Sequence, residues 1–218
     1  MKPCDCRERH SARRVVLTGG PGAGKTAILE LIRLFFCEHV RTLPEAAGIV
    51  FGGRFPRSER PDLRQAAQRA IYHVQRELES TVDGENAAVV LCDRGTVDSA
   101  AYWVGTGDLF DAVGTTRAAE LARYNAVIHL RTPTSPVAYN RDNPLRVESI
   151  EEAAQIDARI FDAWSSHPRR FIVEPTEDFL SKASHTLALL RREVPECCRH
   201  HVRTFLWDGA ATPAPQIP

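Results

Sequence analysis

The chain has 218 residues, 43% of them apolar and 26% charged, with 28 Lys+Arg set against 28 Asp+Glu. This is the composition of a packed globule the size of one α/β unit, and the even charge excludes an electrostatic case for binding DNA or RNA. Residues 1–14 are charged and lack the apolar core of a secretory signal, and no later run is long enough to span a bilayer, so a cytoplasmic protein without a transmembrane segment is expected.

Arg13 to Thr18 is a β-branched run that ends at glycines. Lys25 to Glu38 then carries Ile28, Leu29, Leu31, Ile32, Phe35 and Phe36 at helical spacing, which predicts strand, tight loop and helix. The loop reads Gly19-Gly20-Pro21-Gly22-Ala23-Gly24-Lys25-Thr26 and matches Gly-x-x-x-x-Gly-Lys-Thr in full, in the context that a phosphate-binding loop requires. Its glycines let successive backbone N–H groups turn inward around nucleotide phosphates, and the helix N-terminus adds partial positive charge. Lys25 is expected to bridge the β- and γ-phosphates of ATP, with GTP also admitted, and the Thr26 hydroxyl to ligate Mg²⁺.

A second strand is predicted to end near Leu43, where Pro44 and Glu45 suit the first turn of a helix. Glu45 reads equally as a first-turn acid or as a group facing an acceptor pocket. Gly52 to Arg60 is loop-like, and Pro61 opens a helix to about Val82. Arginine is dense from Arg54 to Arg76, but Glu59, Asp62, Glu77 and Glu79 accompany it, as on a solvated helix face. Asn86 to Cys92 shows no polar alternation, the pattern of a strand covered on both faces of a parallel sheet. Asp93 at its carboxyl end would emerge beside the phosphate loop, suited to hold Mg²⁺ through water or to take a proton from an acceptor hydroxyl. Arg94 is suited to clamp an acceptor or phosphate oxygen, or to occupy a surface turn.

Tyr102 and Trp103 read as rings for an acceptor or as packing. After the Gly-rich segment Gly105 to Gly114, a short helix to Arg123 leads into a fourth strand, Ala126 to Leu130. The Pro- and Asn-rich loop Thr132 to Pro144 contains Arg141 and is followed by Arg146. These two arginines read as a lid over the γ-phosphate or as solvated loop residues. Glu148 to Trp164, Phe171 to Val173 and Glu177 to Arg192 complete the pattern as helix, strand and helix. The alternation predicts a doubly wound, five-stranded parallel sheet with helices on both faces, which together with the phosphate loop gives the expectation of a three-layer α/β P-loop NTPase fold. Residues 1–12 read as an N-terminal extension, 13–194 as the domain, and 195–218 as a tail whose last residues are disordered.

Cys37 and Cys92 fall in apolar stretches that read as a core helix and a core strand, so reduced thiols are expected. Cys4, Cys6 and His10 at one end and Cys197, Cys198, His200 and His201 at the other are metal-ligating types. Their Cys-x-Cys and Cys-Cys spacings are not the usual paired-ligand turns, and the two groups would have to meet in space. A metal site is therefore not expected from them.

Taken with Pro44-Glu45-Ala46, Asp93-Arg94-Gly95, Ala101-Tyr102-Trp103, Arg123-Tyr124 and Pro144-Leu145-Arg146-Val147-Glu148, the phosphate loop gives a chain that resembles the NadR/TRPL-translocation-defect type of P-loop domain, over about Arg13 to Arg192. The resemblance implies a five-stranded kinase-like core. It implies that Lys25 and Thr26 handle the triphosphate and Mg²⁺, that Asp93 and Arg94 face an acceptor, and that Arg141 and Arg146 belong to a lid. That group includes a ribosylnicotinamide kinase domain and an animal protein that binds GTP and phosphoinositides.

Two functions follow as expectations. One is a small-molecule kinase acting on a nucleoside-like acceptor. The other is an ATP- or GTP-dependent binding module for a protein or phosphoinositide, with the Gly52 to Arg60 loop as its switch. The lack of an Asn-Lys-x-Asp motif weakens the GTP version, and a ring-forming mechanical ATPase has no room for its extra helical domain. Base recognition is expected near Glu174 to Asp178.

Overall fold

The computed structural model describes residues 3–133, 149–176 and 178–199. Arg141, Arg146 and the rest of the expected lid, His200, His201 and the expected disordered end of the tail lie outside them. Five strands, β1 (Arg13–Thr18), β2 (Val40–Leu43), β3 (Val89–Asp93), β4 (Ala126–Leu130) and β5 (Arg170–Val173), form one sheet in the order β2-β3-β1-β4-β5. Every pairing is parallel. The long helices are α1 (Lys25–Phe35), α3 (Pro61–Ser80), α7 (Ile150–Ala163) and α8 (Phe179–Glu193). Short ones are α2 (Ala46–Gly52), α4 (Asp98–Ala101), α5 (Leu109–Ala112), α6 (Arg117–Ala122) and α9 (Glu196–Arg199). The five-stranded parallel α/β fold is the one expected.

Alternation along β1 explains the two layers of core. Val15 and Leu17 join Leu91, Ile128 and Leu130 against Ile28, Ile32, Leu187 and Leu190 of α1 and α8. Val16 faces the other way with Val90, Cys92 and Val127, packing on Val97, Leu121, Ile160 and Trp164. Side chains of a strand point alternately to opposite faces, so a strand buried on both must be apolar throughout. Helix boundaries moved where capping decided them. Ser149 and Glu152 form a capping box at the start of α7, and the Asp178 carboxylate accepts from the Leu180 and Ser181 amides at α8. Glycines and a short acidic cap also hid α5 within the Gly-rich segment Gly105 to Gly114, where the Asp108 carboxylate accepts from the Phe110 amide.

A buried polar network fixes the turn that follows β3. Tyr124 Oη donates to Glu79 at 2.7 Å and accepts from the Thr96 amide at 2.8 Å, while Arg123 also pairs with Glu79. Thr96 Oγ1 and Tyr72 Oη both donate to Glu120, at 2.8 and 2.9 Å. Glu79 is fully buried, so Glu79→Ala would leave Arg123 with only its longer pairing to Glu120 at 3.4 Å and the Tyr124 hydroxyl with only Thr96 Oγ1 at 3.1 Å as acceptor. The expected loss of stability is ~3–5 kcal/mol, measured as a fall in the urea midpoint.

Candidate functional site

Parallel pairing puts the ends of β1 and β3 side by side, with Leu17 opposite Asp93. The phosphate loop leaves β1 and the Asp93-Arg94 turn leaves β3 at the same sheet edge, and the Arg94 amide donates to the Leu17 carbonyl at 3.0 Å. The loop tolerates nothing but glycine where it passes closest to its neighbours. A Cβ on Gly19, at φ +136°, would lie 2.0 Å from the Leu130 carbonyl oxygen. At Gly20 it would lie 2.5 Å from Thr132 Oγ1 and 2.7 Å from Asp157 Cβ.

Lys25 opens α1 and folds back over the loop, donating to the Gly19 carbonyl at 2.9 Å and the Gly20 carbonyl at 3.3 Å. Burial, reinforced by the nearby Arg94 charge, pushes its ammonium down to about 8. Gly24 stands immediately before α1 at φ 92°. Pro21 and Ala23 complete the loop, whose Pro21 carbonyl accepts from Thr132 Oγ1 at 3.1 Å. Thr26 lies exposed in the first turn of α1.

Asp93 is 8% exposed, and its Oδ1 has no hydrogen-bond partner among the described residues. Burial pushes its carboxyl up to about 6, with Glu45 and Asp98 adding to the rise against Lys25 and Arg94. Arg94 adopts φ 69°, which is uncommon without a glycine and is held here by side-chain pairing. Its guanidinium donates to Glu45 at 2.6 Å and to Asp98 at 3.3 Å and lies 5.7 Å from the Tyr102 ring centre. Glu45 immediately precedes α2 but makes no capping bond, because its carboxylate is turned to Arg94. Burial pushes Glu45 up, yet Arg94 and Lys25 outweigh it and hold the carboxyl below its ordinary range. Trp103 is turned away, its Nε1 donating to the Gly107 carbonyl at 3.1 Å.

Lys25, Asp93, Arg94 and Glu45 are thus brought together at one edge of the sheet. Two acids escaped the sequence reading. Asp98 accepts from the Thr18 hydroxyl, from the Gly95 amide at 2.9 Å and from Trp164 Nε1 at 3.1 Å, tying both strand ends together. Asp157 accepts from the Gly20 amide at 2.9 Å, meets His129 Nε2 at 2.8 Å and pairs with Arg131 at 3.2 Å. It therefore braces the phosphate loop from behind. Asp157 carried a signal, since it falls with Ala153 and Ile160 on the buried stripe of α7, where an unpaired charge is costly.

A family model described as AAA domain matches residues 14–182. The chain belongs to this AAA-domain family. Among solved structures, the chain is similar to deoxyadenosine kinase from M. mycoides with bound dATP, at TM-score 0.57 and 13% identity. The match covers 82% of this chain and 98% of that one, which establishes the shared fold. No curated protein matches the chain. The AAA-domain chain is a P-loop nucleotide-binding domain, and among the described residues no helix is long and apolar enough to cross a membrane.

Proposed function

We propose that the chain is a Mg²⁺-dependent ATP-binding phosphotransferase that moves the γ-phosphoryl group of ATP to a nucleoside-like acceptor. The observation that carries this reading is Asp93, a buried carboxylate at the lip of the phosphate loop with an oxygen unpaired among the described residues. A structural acid in that position would have its hydrogen bonds filled, as those of Asp98 and Asp157 are.

The roles divide by chemistry. The phosphate-loop amides and Lys25 hold the triphosphate, and Lys25 stabilises charge on the transferred group. Asp93 orients the acceptor or takes its proton. Arg94, fixed by Glu45 and Asp98, sets one wall of the acceptor site, and Arg141 and Arg146 serve as a lid over the γ-phosphate. Oxygen donors suit Mg²⁺, so the Thr26 hydroxyl and the unpaired Asp93 oxygen fit the ion, Asp93 through water. Held there, the ion would supply positive charge to offset that of the phosphate oxygens. The kinase fold of the dATP-binding relative and the resemblance to NadR/TRPL-type domains support a nucleoside-like acceptor, ribosylnicotinamide among them.

The test is transfer of label from γ-labelled ATP·Mg²⁺, and in parallel GTP·Mg²⁺, to pools of nucleosides, nucleoside monophosphates, ribosylnicotinamide and phosphoinositides. Label on an acceptor that disappears in Lys25→Ala and Asp93→Ala is the expected result. Tight nucleotide binding with label released only as slow inorganic phosphate would replace the kinase with a nucleotide-gated binding module.

A further inference from the structure

The edge of the sheet opposite the phosphate loop gathers a second constellation. All five strands run parallel, so all begin at this edge. The extension before β1, the turn before β2 and the segment after α8 consequently converge there. They deliver Cys4, Cys6 and His10, then Cys37 and His39, then Cys198. The objection raised by the sequence, that the two terminal groups would have to meet in space, is overturned. Cys37, read as part of a core helix, lies beyond the end of α1 and faces the cluster with Cys198; both are fully buried.

Two sets of four donors lie with all ligand atoms within 4.8 Å of one another, Cys4-Cys37-His39-Cys198 and Cys6-His10-His39-Cys198. The Cys4 and Cys198 sulfurs are 3.9 Å apart, and Cys198 Sγ lies 3.3 Å from His39 Nδ1 and 3.8 Å from His10 Nε2. Cys6 Sγ is 3.4 Å from His10 Nε2. A tetrahedral zinc ion with Zn–S of about 2.3 Å and Zn–N of about 2.0 Å needs S···S near 3.8 Å and S···N near 3.5 Å. These four separations lie within a few tenths of an ångström of those values, and every other donor pair within a set lies within 4.8 Å.

The backbone that carries them is held independently. The Cys4 amide donates to Glu38, the His10 amide to Asn86 at 2.8 Å, and the His39 carbonyl accepts from the Ala88 and Val89 amides. Mixed thiolate and imidazole donors select zinc over the hard cations that suit the phosphate site.

We propose that this cluster is a structural Zn²⁺ site that clamps both ends of the chain onto the turn before β2, with His39 and Cys198 common to its ligand sets. It lies at the sheet edge opposite the phosphate loop, so it serves the fold and not the transfer reaction.

The experiment uses the full chain, without a histidine tag, purified under reducing conditions. Elemental analysis is expected to find one zinc per chain. Co²⁺ substitution is expected to give the ligand-field bands of a tetrahedral site with thiolate charge transfer. Cys198→Ser is expected to lower zinc affinity by more than the roughly 100-fold that disturbing an outer-shell partner costs, while ATP binding is retained. Loss in Cys37→Ser but not Cys6→Ser assigns the first ligand set, and the reverse assigns the second. Should Cys198→Ser fail to fold, chelation of the wild-type chain decides. Zinc release with a fall in Tm that added zinc restores supports the site. Substoichiometric zinc after supply of the ion, full zinc retention by Cys198→Ser, or a Cys4–Cys198 disulfide in the reduced preparation would each overturn it.

Discussion

Replacing Lys25 with alanine is expected to lower phosphoryl transfer by about 10²–10³-fold, the loss typical of removing one donor to transition-state charge. ATP affinity should fall as well, by roughly 10- to 100-fold, because a charge-assisted hydrogen bond to phosphate contributes ~1.5–3 kcal/mol. The effect is separable from unfolding. Burial holds the Lys25 ammonium at about 8 against an ordinary 10.5, so at neutral pH the fold keeps this charge at a cost, and its removal should not lower Tm.

The same depression sets a pH dependence whose sign is fixed. ATP favours the charged lysine, so binding is full below about pH 8 and weakens as pH rises through that value, approaching tenfold per pH unit. Lys25→Arg keeps its charge throughout and should lose this limb, although its forked head will not reproduce the geometry that a point charge gives. Titration of a fluorescent ATP analogue between pH 6.5 and about 9.5 would check both variants. An unchanged limb in Lys25→Arg would assign the titration to another group.

Much of this site was legible because its parts are contiguous in sequence. The loop from Gly19 to Thr26 carries its own geometric demand for glycine, and β3 advertised its burial by having no polar alternation. Asp93 followed from the strand that ends on it. Asp98, Asp157 and Glu79 were less visible, because each draws its meaning from a partner far along the chain: Thr18, Gly20 and Arg123 respectively. That Cys and His residues from the two ends meet in space was hidden for a related reason. Spacing rules for metal ligands describe turns within one segment, whereas here the topology of a parallel sheet gathers donors from three. The two acids beside Arg94 hold its guanidinium in a largely buried ion-pair cluster and not in a solvated surface turn.

Asp93→Asn is expected to move stability and activity in opposite directions. The folded carboxyl titrates at about 6 against an ordinary 3.8, so between those values the folded state binds more protons than the unfolded. Stability therefore falls as pH rises through that window, and above it the full cost of holding the buried anion remains, ~3 kcal/mol at most. Asparagine removes the charge while keeping the shape. The variant should gain several degrees in Tm at pH 7, where ~1 kcal/mol corresponds to 2–4 °C in a chain of this size, and little at pH 4. Transfer should fall by about 10²-fold or more as the group that orients or deprotonates the acceptor is lost. A structural acid would behave otherwise, because removing a carboxylate that supports the fold lowers Tm. Thermal unfolding at the two pH values, beside label transfer at pH 7, separates the cases. A drop in Tm at pH 7 would mean that the unpaired oxygen is satisfied in solution and that Asp93 braces the β3 turn. A rise in Tm with loss of transfer would mark it as an acid kept for chemistry at the expense of stability.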